Sequence, residues 1–472
     1  MERDIRTFHV LTMGMGFDLI DHLWARVQSM SGFAFSHILE PSIDQSMLAK
    51  HPHAAHCFCI RDNVQLKMPS PDKEILAALE QPGVPTIHNM IMGDRVIRTL
   101  DYTEALGYAT FLALRLEHLL LQIKPSVIIS GYDSLHSGIA MAVARKLGIP
   151  WFSITFTTIP QGLTGFCMGM TPDTGISFRP VSLEVLRELA ERTLSEFESK
   201  RMVVFAYLSA NNVPMIIKRL PGHIRAFYMA TIRAINGRFD KFTQYPVRRL
   251  VREYFRKRLN LVFLPKHWFC DAPPATPYLF IGLHMQPESS IDVWAPFYSD
   301  QFHIIEAIAR STPPTHQILV KLHKSDADNY SRKQLDRLRC LPGVRLVSPY
   351  AQSRMFIEKA SLVLAIQGNL ALEAAMLGRP VLVFGDTKFM ELPSVSRVNR
   401  LTELPSQIRG KLTEQRPARE EIILGLMSYL NCYAPGCFNN WEITPSSLEI
   451  NNMVENIKAL REYVEKSDQC AE

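Results

Sequence analysis

Between residues 277 and 386 apolar runs too short for helices alternate with segments of helical periodicity, and this alternation constrains the fold more than any other feature. "YLFIG", "HQILVKLH", "VRLVSP", "SLVLAIQ" and "RPVLVFG" each carry a run of apolar residues rich in Val, Ile and Leu. Between them lie "DQFHIIEAIAR", "RKQLDRLRCL", "SRMFIEKA" and "GNLALEAAMLG", whose apolar positions recur every three or four residues. Strands with no polar alternation are buried on both faces. Strands separated by helices pair in parallel, because the crossover helix returns the chain to the same edge. The expectation is a doubly wound parallel sheet with helices on both faces.

The first third of the chain has the same grammar. "TFHVLTM" reads as a strand, followed by Gly14 and Gly16 and a helix from about Asp18. "SVIISGYD" is a strand, "SLHSGIAMAVARKLG" a helix that stops at Gly148, and "IPWFSITF" the next strand. The chain has 472 residues, more than one ordinary core accommodates. We therefore expect an α/β protein of two Rossmann-like, doubly wound parallel-sheet domains facing across a cleft. The boundaries expected are 1–180 for the acceptor-side domain, 181–265 for a helical basic connector, 266–440 for the nucleotide domain, and 441–472 for a helix returning to the first domain.

Several classes are excluded at this level. No stretch of about 18 apolar residues occurs, and the nearest candidate, residues 102–123, carries Glu104, Arg115, Glu117 and His118. It reads as a buried amphipathic helix. The N-terminus begins with Glu2 and Asp4 and does not resemble a signal peptide. The eight cysteines are scattered without a Cys-x-x-Cys pair, which points to a reducing, cytoplasmic setting. "HPHAAHCFC" (51–59) lacks the regular spacing of a zinc site and reads as a loop entering a strand. No P-loop is present, and no Gly-x-Gly-x-x-Gly follows the first strand.

Charge is unevenly distributed. Residues 216–260 hold twelve basic residues against only Asp240 and Glu253, so this segment carries about +10 while the whole chain carries +6. Such a belt attracts anions. The interleaved Phe227, Tyr228, Tyr245, Tyr254 and Phe255 favour an anionic inner-membrane surface over nucleic acid, with a solvated helical face as the alternative.

Candidate site residues fall where strands end, the usual ligand position in open parallel sheets. "IQGNLALEAAMLGRPVLVFG" runs from a strand through Gly368 into a helix whose free N–H groups favour an anion. Gly368 and Asn369 would approach a phosphate, and Glu373 would accept from ribose hydroxyls. Lys321 and His323 share one side of a strand end and both can donate to phosphate. "LHMQPESSID" offers Gln286 and Ser289 or Ser290 to a phosphate or sugar, and Glu288 as a base or orienting carboxylate. In "SGYDSLHSG", Asp133 or His136 could take a proton from an acceptor, and Asp18 is a further candidate.

"YLFIGLHMQPESS", "ILVKLHK", "GVRLVSPY" and "IQGNLALEAAMLGRPVLVFG" together resemble, in sequence and order, capsule-polysaccharide and surface-carbohydrate biosynthesis glycosyltransferases of the two-domain GT-B type, a group that includes bacterial transferases using CMP-Kdo. The resemblance is strongest over 277–386, and weaker over "KPSVIISGYDSLHSGIAMAVARKLGIPWFSI". It implies a nucleotide-sugar donor held by the C-terminal domain and a polysaccharide or lipid-linked acceptor held by the N-terminal one. It places His323 at the donor phosphate, Glu373 at the nucleotide, and Gln286 and Glu288 along the cleft. Neither a cofactor nor a metal is expected, since basic side chains and a helix N-terminus can hold the diphosphate. Two departures stand out: Lys324 follows His323 where many relatives have proline, and Gln367 and Asn369 flank Gly368 where many have Thr or Ser. These bear on donor identity. A nucleotide-sugar epimerase of the same shape and a non-catalytic glycan-binding scaffold are the competing expectations.

Overall fold

The computed structural model describes residues 7–14, 25–39, 54–61, 66–131, 134–169, 175–199, 227–228, 230–436 and 447–471. The chain forms two units: Met1–Val181 with Val204–Pro246 and Asn431–Glu472, and Ser182–Val203 with Val247–Leu430.

The first unit is built on strands β1 (Phe8–Met13), β2 (Phe33–Leu39), β3 (Cys57–Cys59), β4 (Val127–Ser130), β5 (Trp151–Phe156) and β6 (Leu163–Met168). Their spatial order is β3-β2-β1-β4-β5-β6, with β1 to β5 parallel and β6 antiparallel to β5. A last strand, Tyr433–Pro435, pairs antiparallel with β6. The sheet is therefore mixed at one edge where the sequence suggested a purely parallel one. The antiparallel return is possible because only a short turn separates β5 from β6. The expected boundary at 440 also moves, because a segment assigned to the second domain completes the first sheet.

One face of this sheet carries the helix Tyr102–Ile123, started by Asp101, whose side chain accepts from Thr103 N–H. Its Leu112, Leu116 and Leu119 enter the core with Ile139 and Val143 of the helix Leu135–Lys146. The opposite face is covered by the C-terminal helix Ser447–Ala471, whose Met453, Ile457 and Leu460 pack with Val10, Phe35 and Val127. None of the helices in the described residues is long and apolar enough to cross a membrane.

The second unit holds β7 (Phe269–Cys270), β8 (Tyr278–Gly282), β9 (Gln317–Lys321), β10 (Val344–Val347), β11 (Leu362–Ala365), β12 (Val381–Val383) and β13 (Val395–Arg397). Every pairing is parallel, in the order β7-β10-β9-β8-β11-β12-β13. From β8 onward this is the 3-2-1-4-5-6 order of a Rossmann sheet, and the first sheet repeats it. Both units are thus Rossmann-like, as the strand-helix alternation implies.

The segment 181–265 is divided between the units instead of forming one connector. The helix Leu183–Glu198 packs on the helix Arg419–Leu430, with Arg187 donating to Glu420 at 2.6 Å. Asp240 pairs with the buried Arg61, and Phe242 stacks on Tyr108 with ring centroids 4.0 Å apart in the first unit's core. The basic helix Val247–Val262 then joins the second unit. Apolar and paired positions dispersed among the charges anchor this segment, and its net charge concealed them.

Candidate functional site

In the 3-2-1-4-5-6 order the strand sequence reverses between β8 and β11. The loops leaving these two strands diverge and open a crevice at their carboxyl ends. Residues from both loops meet there. His284 follows β8, and its Nε2 accepts the backbone N–H of Gln367, which follows β11, at 3.3 Å. That acceptor role puts the ring proton on Nδ1. Burial, with His323 nearby, pushes His284 down to about 4, so its imidazole is neutral at physiological pH.

The ring lies against Gly368. A Cβ at position 368 would stand 3.1 Å from His284 Cε1, and Gly368 has φ +90°. Glycine is required here by conformation and by space. Gly368 is also the N-cap of the helix Asn369–Met376 and brings no capping side chain to its N–H groups. Gly368→Ala should lower the melting temperature of the second unit by roughly 4–8 °C, from about 2 kcal/mol of backbone strain and ring displacement. A melting curve that superimposes on that of the native protein would refute this role.

Lys321 ends β9 beside β8, paired with Gly282. It is buried, and its Nζ donates to Pro349 O at 3.1 Å. Burial, reinforced by Lys324 and opposed by Glu373, brings its ammonium down to about 8. Burial and Lys321 also lower His323. The Nδ1 of His323 accepts from Ser325 N–H at 3.2 Å, so Nε2 carries the proton and is the donor. Glu373 lies in the helix Asn369–Met376, and its carboxyl makes no hydrogen bond or ion pair with a described residue. Burial pushes it up to about 7, against the pull of Arg354 and Lys321. Two ionisable groups shifted by desolvation, a neutral imidazole donor and a helix N-terminus therefore lie close together at the carboxyl ends of the strands. Such a set is suited to a ligand carrying both negative charge and hydroxyl groups.

The loop after β8 is held from behind. Gln286 donates from Nε2 to Asp292 Oδ1 and Ser299 O, both at 3.0 Å, and its Oε1 accepts from Gln301 at 3.2 Å. Its backbone N–H is taken by Asp326 at 3.2 Å, and its carbonyl accepts from Asn329 at 2.9 Å. This corrects the expectation that Gln286 binds the donor: every polar group of the residue is committed to the loop, so it positions its neighbours. Arg256 on the basic helix donates to both Asn329 O (2.9 Å) and Asn329 Oδ1 (2.6 Å), which extends the brace outward. Glu288 precedes the short helix Ser289–Asp292, which Ser289 opens, and its Oε2 accepts from Ser290 Oγ at 2.8 Å.

In the first unit, Asp18 and Asp133 lie outside the described residues. His136 is a correction. It lies on the buried side of the first turn of the helix Leu135–Lys146, 3% exposed, with Nε2 bonded to Tyr108 Oη at 2.6 Å. A ring enclosed in this way has no edge to offer an acceptor. The helix start that suggested a catalytic group is instead capped by Ser134, which accepts from Ser137 N–H at 3.3 Å.

Three contributors lay outside the polar residues expected at the strand ends: Gln301, Asp326 and Asn329. His284 stands two residues beyond β8, a signal the sequence carried. Gln301 opens the amphipathic helix Gln301–Ser311, and its amide spans His284 N–H (2.8 Å) and His284 O (3.1 Å). Nothing in its spacing marks it.

No family model matches the chain, and no curated protein matches it. Among solved structures it is similar to the beta Kdo 2,4 transferase KpsC of Thermosulfurimonas dismutans, at 15% identity over 70% of this chain and 87% of that one, with a TM-score of 0.39. The beta Kdo 2,7 transferase of the same organism follows at 10% identity, 72% and 89% coverage and a TM-score of 0.34. The UDP-GlcNAc 2-epimerase of Methanocaldococcus jannaschii matches at 14% identity, 89% and 97% coverage and a TM-score of 0.26. The two-sheet architecture described above rests on the chain's own strand pairing.

Proposed function

We propose that this chain is a glycosyltransferase of the GT-B kind, working in the cytoplasm, that moves a sugar from a nucleotide-activated donor to a surface-polysaccharide or lipid-linked acceptor. The observation that carries this reading is the crevice between β8 and β11, where Lys321, His323, the helix N-terminus at Gly368 and Asn369, and the unbonded Glu373 converge. In this reading Lys321 neutralises the donor phosphate as it becomes the leaving group, His323 donates a hydrogen bond to it from Nε2, and Glu373 accepts from the ribose. Ser289 or Ser290 adds a hydroxyl to the donor. Glu288 is the carboxylate proposed to take the acceptor's proton, with Asp133 the alternative. No metal is required, because positive charge is already supplied by the chain. The donor favoured is a CMP-activated acidic sugar of the Kdo class, as the resemblance implies.

The test is a thermal-shift panel with CMP, CDP, UDP, GDP and ADP. A ligand at about 100 times its Kd adds roughly 2.7 kcal/mol, or roughly 5–10 °C for a unit of this size. A response to CMP or CDP is expected. A response confined to UDP or GDP would replace the donor, and a folded protein silent to all five would overturn the reading.

A further inference from the structure

The basic helix Val247–Val262 has two faces of different character. Toward the second unit it presents Arg256, Lys257 and Asn260. Arg256 donates to Asn329, Asn260 donates to Asp328 O at 3.1 Å, and Lys257 lies 3.8 Å from Asp328. Residues advance by about 100° each around a helix, so Val251, Phe255, Leu259 and Val262 share the opposite face. All four are exposed: Val251 by 38%, Phe255 by 60%, Leu259 by 57% and Val262 by 73%. Phe263, just beyond the helix, is exposed by 61% and extends the stripe. Arg248 and Arg252 are exposed on the same side, and Arg258 borders it. The helix holds six basic residues against the single acid Glu253, and Glu253 is engaged by Arg256 at 2.7 Å.

We propose that this outward face docks on the surface of an anionic phospholipid bilayer. An apolar stripe ringed by cations, on a helix anchored by its other side, matches an interface where acyl chains lie directly beneath phosphate. A water-facing helix gains nothing from an exposed phenylalanine and leucine one turn apart. A protein partner of ordinary composition would leave the surrounding arginines unneutralised. The sequence suggested membrane contact from the charge and the interleaved aromatics of 216–260. The structure narrows this to one helical face and adds Val251, Leu259, Val262 and Phe263 to its apolar stripe. The proposal does not rest on the sugar-transfer reading.

The test is co-sedimentation of the full chain with phosphatidylcholine vesicles, with and without phosphatidylglycerol. The native protein should sediment with the anionic vesicles and remain in solution with the neutral ones. Phe255→Asp with Leu259→Asp should reduce vesicle binding at least tenfold, and Arg248→Glu with Arg252→Glu should reduce it in a salt-sensitive way. Because all four positions are exposed, unchanged melting curves verify that the variants fold. Failure of the native protein to bind anionic vesicles would overturn the proposal, as would equal binding by the aspartate variant. A native dimer that the aspartate variant converts to monomer, without vesicle binding, would assign the face to a second copy and overturn it as well.

Discussion

Replacing Glu373 with leucine should make the ligand-free protein more stable above neutral pH while removing most of its nucleotide affinity. Both effects have one origin. Glu373 is half-buried and its carboxyl has no hydrogen bond to a described residue, and the partial desolvation raises it from 4.5 to about 7. A carboxyl whose folded value lies above its unfolded value binds more protons when folded. Stability therefore falls as pH rises from about 4.5 to about 7, and stays reduced above it. The shift corresponds to roughly 3 kcal/mol at about 1.36 kcal/mol per pH unit. Leucine removes this cost but also deprives Lys321 of a favourable neighbour, so a net gain of about 1–3 kcal/mol is expected at pH 8. For a unit of this size that is a rise of roughly 3–10 °C. Nucleotide affinity should fall about 10- to 100-fold, the loss of charge-assisted hydrogen bonds from ribose. Thermal melts at pH 5 and pH 8, with and without CMP, measure both. A variant less stable than the native protein at pH 8 would show that Glu373 has a structural partner, and the site as built here would fail.

The second unit was legible in the sequence because its strands are buried on both faces and its helices are amphipathic. "ILVK", "SLVLA" and "RPVLVFG" admit one placement each, and the reversal point follows from strand order. Gly368 and Lys321 were legible for a related reason: a glycine opening a helix and a lysine ending an apolar strand are each locally anomalous. His136 misled because a helix start rich in Ser and His looks alike whether it faces solvent or core. The deciding fact, Tyr108 reaching it from 28 residues earlier, is tertiary. Gln286 misled in the same manner. Its position in a polar loop suggested a ligand contact, yet its partners Asp292, Ser299, Gln301, Asp326 and Asn329 come from four further segments. Polar loops next to a site must satisfy their own backbone and amides before they can bind anything, and composition does not separate the two uses.

Lys321→Met should abolish the pH dependence of nucleotide binding above neutrality and weaken binding at pH 7 by about 100-fold. The ammonium is buried and lowered from 10.5 to about 8, principally by desolvation. Folding thus favours the neutral amine. Charged Lys321 costs stability below about pH 8, and this cost disappears as pH rises toward 10.5. A phosphate beside it reverses the preference, because an anion within hydrogen-bond reach restores the charged form. Binding must then take up a proton wherever the free site is deprotonated. Affinity in the native protein should fall about tenfold per pH unit above about 8, where Glu373 is already ionised. Methionine keeps the volume and loses the bond to Pro349 O, at about 1 kcal/mol. That loss is offset by relief of the buried charge, so the variant should melt within a few degrees of the native protein. Its affinity for CDP should be low and flat from pH 7.5 to 9.5. Titration calorimetry in two buffers of different ionisation enthalpy reads the proton uptake directly. A native affinity unchanged across that range would place the phosphate away from Lys321. An unchanged slope in the variant would assign the proton to another group, and His323, already lowered and neutral there, could not supply it.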